Sequence, residues 1–255
     1  MTRLQTELQR LYLPPGAPPP QPGADLAPLL CPHGHTRTGV VSLARPADWD
    51  HLLRVWQGVQ ADLGLPAPAI AVNGVDGYQL WFSLWEPVPA DHMAAFLAGL
   101  QATYLRDIAP RRLGLWPAHP NPLPGASPLP ALAVPAPQGD DRWSAFVTPD
   151  LARIFANDPW LDMAPADASQ ADVLAVLACT QPDVFEAACA RLAPLAPTTA
   201  NVAPPHVQPL ATVAQLAAPP GALEPEAFLR HVMNDPGGPL ALRIEAAKAL
   251  LTVRP

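Results

Sequence analysis

The segment from Ala69 to Pro87, AIAVNGVDGYQLWFSLWEP, constrains the fold more than any other part of the chain. An apolar run is followed by a turn that contains both Asn-Gly and Asp-Gly, and a second run then alternates. One face of that run carries Tyr78, Leu80, Phe82 and Leu84, and the other carries Gln79, Trp81, Ser83 and Trp85. Two such runs around these dipeptides predict a β-hairpin with one face buried.

Helical periodicity flanks this hairpin on both sides. Residues 48–63 repeat apolar side chains at helical spacing behind an N-cap at Asp48, and a second amphipathic stretch runs from Pro89 to Ile108. Short strands are predicted at 40–43 and 113–116. The resulting order of strand, helix, strand, strand, helix, strand predicts an α+β fold with a ferredoxin-like β-α-β-β-α-β core.

The remaining sequence predicts additions around that core. A further strand at 142–147 and a helix at 149–156 extend the domain, which we place at residues 36–165. An N-terminal helix and a proline-rich segment occupy 1–35, and a helical extension occupies 166–192. An Ala/Pro-rich linker follows at 193–222 and a C-terminal helical hairpin at 223–255, consistent with 37 prolines in the chain.

Composition limits the classes of function. The formal net charge is −7, and Lys248 is the only lysine among 15 basic residues, so broad non-specific binding to phosphates is not expected. The abundance of Arg, Ala and Pro indicates a GC-rich bacterial genome. Three widely spaced cysteines and the lack of an apolar leader or membrane span predict a reduced, cytoplasmic protein that does not contact membranes.

The turn and second strand carry a family resemblance. Residues 73–82, NGVDGYQLWF, followed by Glu86-Pro87, resemble the second motif of archaeo-eukaryotic primases and primase-polymerases, in which Ser-Gly-x-Gly-Tyr-His leads into a hydrophobic strand and a proline. The resemblance covers roughly residues 40–117. It implies an RRM-like core and a role with nucleic acid or with a replication-type partner.

The sequence departs from that family at the positions that carry its chemistry. The paired metal-binding carboxylates would fall near Ser42 and Ala44, the motif histidine is replaced by Gln79, and strand 113–116 has no acidic residue. We therefore predict a degenerate module with no catalytic residues, metal site or cofactor. An active nucleotidyl transferase that binds metal through Asp48 and Asp50 is the least favoured function, because a carboxylate at a helix start is more often a cap.

Two alternative functions follow from the sheet face opposite Tyr78. We predict that this face is open and that nucleic acid or a replication-type partner contacts it through the candidate residues Asn73, Gln79, Trp81, Arg111 and Arg112. The RNA-recognition signature itself is weak, since Asp76 stands where a basic residue belongs. If residues 143–147 bury Trp81, the chain is instead an interaction or structural protein without a nucleic-acid role, which would use its proline segments and C-terminal hairpin.

Overall fold

The computed structural model describes residues 1–14, 29–31, 33–44, 46–118, 134–139 and 141–192. All of them belong to one unit that spans residues 1–200, so the described residues on both sides of positions 35 and 165 lie in the same unit. The predicted linker at 193–222 and the predicted helical hairpin at 223–255 lie outside the described residues. No helix in the described part of the chain is long and apolar enough to cross a membrane.

A five-stranded antiparallel sheet forms the centre of this unit. Its strand order is β4-β1-β3-β2-β5, so the added strand β5 extends the sheet beyond β2. The predicted strands are confirmed, although the first is longer and the last shorter than expected. The strands are β1 (His35–Ala44), β2 (Ala69–Val72), β3 (Gly77–Pro89), β4 (Leu113–Trp116) and β5 (Ala145–Val147).

The helices and strands follow one another along the chain in the predicted order. Between β1 and β4 the chain runs strand, helix, strand, strand, helix, strand, which confirms the element order read from the periodicity. Short 3-10 helices occupy 110–112 and 153–155. The α-helices are α1 (Arg3–Leu11), α2 (Trp49–Ala61), α3 (Ala90–Tyr104), α4 (Pro149–Ala152), α5 (Asp167–Ala175) and α6 (Pro182–Leu192).

The first face of the sheet carries the alternating apolar residues of β3, as predicted. Helices α2, α3 and α6 contribute side chains to this core. Phe96 of α3 contacts Phe82 of β3 and Phe185 of α6, with ring centroids 5.6 and 5.1 Å apart respectively. Burial of large apolar side chains on this scale is the main stabilising contribution to a domain of this size.

The second face of the sheet is covered, which corrects the prediction that it is open. Gln79 and Trp81 are only 1% and 3% exposed, and Ser83 is also buried. The cover consists of α1 and α5, whose apolar side chains form a second core with this face. Its buried helical members are Leu4, Leu8, Leu11, Ala171 and Leu174.

The amphipathic sequence of α1 explains why the helix packs there. Its leucines recur at helical spacing on one side, and Thr2 and Gln5 form a capping box that satisfies backbone N–H groups at its start. An isolated helix of this length is marginal in water, so its stability must come from the face that it buries. The sheet face beneath it supplies that apolar surface.

Candidate functional site

Asn73 holds the turn between β2 and β3 and is almost fully buried. Its Oδ1 atom accepts hydrogen bonds from the backbone N–H groups of Val75, Asp76 and Gly77, each at 2.9 Å. Its Nδ2 group donates to Asp76 Oδ1 at 3.0 Å. Both polar ends of this predicted contact residue are therefore occupied within its own turn.

A hydrogen bond joins the buried side chains of Trp81 and Gln79 beneath α1. The indole Nε1–H of Trp81 donates to Gln79 Oε1 at 2.9 Å. The Trp81 ring meets Tyr12 edge-on at 5.2 Å and Phe146 at 5.8 Å, and Tyr12 stacks on Phe146 at 6.1 Å. These rings form a closed aromatic cluster in the core, so Trp81 offers no face to a nucleobase.

The two predicted arginines have different environments. Arg112 donates to the carbonyl oxygens of Ala44 and Pro46 at 3.3 and 3.0 Å, and it lies 3.9 Å from a carboxylate oxygen of Asp48. These contacts of Arg112 connect the end of β1 to the start of α2. Arg111 is exposed. Among the predicted contact residues, Arg111 is the one whose side chain projects into solvent.

The carboxylates of Asp48 and Asp50, at the start of α2, are paired with neighbouring side chains. Asp48 Oδ1 accepts the His51 N–H at 3.4 Å, and Asp48 Oδ2 lies 2.6 Å from Nδ1 of the same histidine. Asp50 pairs with the exposed Arg153 at 3.0 Å. The described residues contain no group of three or more His, Cys, Asp or Glu side chains able to hold a metal ion.

The pKa of Asp48 reflects this arrangement. Burial alone would raise it, but the hydrogen bonds from the ring and backbone of His51 and the charges of His51 and Arg112 outweigh burial. The pKa of Asp48 therefore lies below its ordinary value. Burial, followed by the Asp48 charge, raises the pKa of nearby Tyr78 to about 12, and the Tyr78 hydroxyl donates to the Ala152 carbonyl at 2.7 Å.

The positions that the primase resemblance singles out lie side by side in the sheet. Ser42 of β1 pairs with Gln79 of β3 on one side and with Gly114 of β4 on the other. Directly opposed residues of an antiparallel sheet project to the same face, so this row lies on the second face. It contains no carboxylate or imidazole, and Ser42 and Gln79 are buried.

An apolar groove lies where α2, the β2–β5 end of the sheet and α5 meet. Its volume is about 280 Å³, and its lining is mostly apolar; Trp56, Pro68, Val147 and Leu177 are among the lining residues, and Asp172 is the charged one. Val176, at the end of α5, borders the groove and is 84% exposed. The sequence analysis did not identify this groove, because its walls come from segments more than 100 residues apart.

Comparisons with known proteins do not assign this chain to a family. No family model matches this sequence, and no curated protein matches it. Any functional conclusion therefore depends on the geometry described above.

Proposed function

We propose that the chain is a non-catalytic protein-interaction or structural module, built on an RRM-like core that descends from a primase-like ancestor. The observation that carries this proposal is the burial of Trp81 and Gln79 beneath α1 and α5, with Phe146 packed beside the Trp81 ring. Burial of Trp81 is the condition under which the sequence favours an interaction role over nucleic-acid binding.

The energetics of α1 support this choice. Exposing the second face would require removal of Leu4, Leu8, Leu11, Tyr12 and Leu13 from the core. Each buried apolar side chain of this size contributes roughly 1.5–3 kcal/mol, so the helix segment contributes about 10 kcal/mol. That is comparable with the whole stability of a typical domain. Nucleic acid would have to overcome this loss before it reached Trp81.

The row of Gly114, Ser42 and Gln79 supports the proposed lack of primase-type catalysis. The resemblance predicts metal-binding acids and a histidine at or near these positions. Two-metal phosphoryl transfer depends on carboxylates that hold the ions. The observed order of strands and helices from β1 to β4 is the order expected of an RRM-like core. A retained scaffold without these ligands suits a module that binds a partner.

The surface offers apolar contacts for such a partner. Val176 lies beside the groove of Trp56 and Leu177, and the groove is lined almost entirely by apolar side chains. Exposed apolar patches with concave geometry are typical of protein-interaction sites. Nucleic-acid or replication-type binding, the other predicted role, would need a different surface, such as the one around the exposed Arg111.

Fluorescence-anisotropy titration tests the proposal. Labelled single-stranded DNA, single-stranded RNA and a primed duplex are titrated with the full chain at low salt. We expect that none of the three nucleic acids shows salt-sensitive binding to the chain. Binding that weakens with salt and is lost in Arg111→Ala, but is retained in the matched control Arg54→Ala, would replace the proposal with nucleic-acid binding through the Arg111 surface. Arg54 is a suitable control because it is exposed on α2.

A further inference from the structure

The groove between α2 and α5 has room for apolar side chains of a partner. A cavity of about 150 Å³ holds a benzene molecule, so a groove of about 280 Å³ accommodates roughly two large apolar side chains. Trp56 forms part of its wall, and the indole Nε1–H of Trp56 donates to the Pro68 carbonyl at 3.1 Å, which holds the ring in place. Val176, the C-cap residue of α5, adds an exposed apolar side chain beside the groove.

The sheet edge beside the groove favours a partner that is helical over one that is extended. Val147, the last residue of β5, lines the groove. At the preceding residue, Phe146, the side-chain amide of Gln170 occupies both the backbone N–H and the carbonyl. An extended segment would find these pairing groups taken, whereas a helix satisfies its own backbone and binds an apolar groove through its side chains.

The charge at the groove is acidic. Asp172 is the charged residue among those that line the groove in the described part of the chain, and its side chain is mostly exposed. Asp150 is exposed as well, and it directly follows the lining residue Pro149. The α2 side is uncharged, because the residues three and four positions from Trp56 are Leu52, Leu53, Val59 and Gln60. A partner with a basic residue therefore complements the groove.

The structure already shows a guanidinium bound to Asp172. Nη1 of Arg3 lies 2.6 Å from Oδ1 of Asp172, and both side chains are mostly exposed. A carboxylate has about four acceptor sites on its two oxygens, so Asp172 has capacity for a second cation. An exposed pair of this kind contributes little to stability, so a basic residue of a partner can share Asp172 with Arg3 or replace Arg3 there.

We propose that the groove binds an amphipathic helical segment of a partner protein, with two apolar side chains in the groove and an arginine or lysine against Asp172. This inference rests on the proposed interaction function and names the class of partner. Residues at positions i and i+4 of a helix lie about 5–6 Å apart on one face, so a single turn supplies both apolar side chains. The basic residue adds the selectivity that an apolar groove alone lacks.

Selection from a displayed peptide library tests the class of partner. Random peptides of about 15 residues, long enough for a helix, are offered to the immobilised full chain. We expect the enriched peptides to carry apolar residues at helical spacing together with Arg or Lys. The charge-reversed variant Asp172→Arg should enrich acidic peptides instead. Enriched peptides without a basic residue, the same peptides with both proteins, or no enriched peptide would overturn the proposal.

The place of binding is tested with one enriched basic peptide, labelled for fluorescence anisotropy. Val176→Asp introduces a charge at the groove that binding would desolvate, so it should weaken binding at least about tenfold. The matched control Ile154→Asp changes another exposed apolar side chain and should bind as the wild type does. Equal binding by the two variants would overturn the groove as the site, but it would leave the proposed interaction function in place.

Arg3→Ala provides a readout that apolar contact alone would not change. Loss of Arg3 removes the cation that competes for Asp172, so the same peptide should bind about two- to fivefold more tightly. Asp172→Asn should weaken binding by a similar factor and reduce its dependence on salt. Equal affinity in the wild type and both variants would overturn the assigned role of Asp172 and the class of partner with it. The nucleic-acid titration tests the proposed function separately.

Discussion

The side-chain amide of Gln170 pairs with both backbone polar groups of Phe146. The Phe146 N–H donates to Gln170 Oε1 at 2.7 Å, and Gln170 Nε2 donates to the Phe146 carbonyl at 3.0 Å. Phe146 lies in β5, the edge strand of the sheet, and Gln170 is buried on α5. The amide thus takes the place of a neighbouring strand and blocks the edge against pairing with other chains.

Gln170→Ala should lower the free energy of unfolding by about 2–4 kcal/mol, because it leaves a buried donor and a buried acceptor without partners. Urea denaturation followed by tryptophan fluorescence measures the change. Ser169→Ala, at the exposed neighbouring position, should stay within about 0.5 kcal/mol of the wild type. A Gln170 variant as stable as the Ser169 variant would show that the edge of β5 is satisfied in another way.

Arg37→Ala should loosen α1. The guanidinium of Arg37 donates to carbonyl oxygens of Arg10, Leu13 and Leu84, so the substitution removes charge-assisted hydrogen bonds from three acceptors. We expect a loss of about 3 kcal/mol in unfolding free energy and faster hydrogen exchange at residues 7–13. Arg54→Ala serves as the matched control. Exchange rates unchanged from the wild type would contradict the role of Arg37 in holding α1.

Gly77→Ala should be destabilising for a reason unrelated to ligand binding. A Cβ atom at Gly77 would overlap the Leu43 carbonyl oxygen and lie 2.8 Å from the Ala44 Cα, where β3 pairs closely with β1. We expect a loss of about 1–3 kcal/mol. At Gly39 the added atom would meet the flexible Met93 side chain, so Gly39→Ala should cost less. Equal losses in urea denaturation would rule out backbone overlap as the cause.

Asp48→Asn should show a pH-dependent effect. Since the pKa of Asp48 is lower in the folded than in the unfolded chain, ionised Asp48 adds stability above its unfolded pKa, and this stability is lost as pH falls through the folded pKa. At pH 7 the variant should be less stable by about 0.5–1 kcal/mol, because the pair with His51 and Arg112 is partly exposed. In urea titrations the difference should shrink as the pH falls through the folded pKa of Asp48 and vanish once the carboxyl group is protonated in both states.

Asp50→Asn provides the comparison for Asp48. Its pair with Arg153 is mostly exposed, so the variant should differ little from the wild type at pH 7. A difference at Asp48→Asn that grows as the pH falls would contradict the assigned sign.

The sequence predicted the elements and the first face of the sheet correctly, because both depend on local periodicity. The alternation of Tyr78, Leu80 and Phe82 places them on one face of β3, independently of how distant segments pack. Whether Trp81 is exposed to solvent depends instead on α1 and α5, which lie far away in sequence on either side of it. The leucine stripe of residues 4, 8 and 11 was the available signal, since an amphipathic helix needs an apolar surface to cover.

The internal hydrogen bonds of the candidate site residues could not be read from the sequence for a related reason. Asn73, Gln79 and Arg112 are polar residues near a turn or a strand, which is also where such residues cap, pair and fasten the backbone. A sequence shows the donor and acceptor groups but not whether the protein itself occupies them. Here the hydrogen bonds of these residues are internal.

Hydroxyl-radical footprinting of Trp81 and Trp85 tests the central claim most directly. Both tryptophans lie in β3, yet Trp81 is 3% exposed and Trp85 is 58% exposed, so each chain carries its own control. If α1 and α5 cover the second face, Trp85 should be oxidised at least about tenfold faster than Trp81, following the ratio of their exposed surface. Oxidation of Trp81 at a rate similar to that of Trp85 would show that the face is open and would contradict the account.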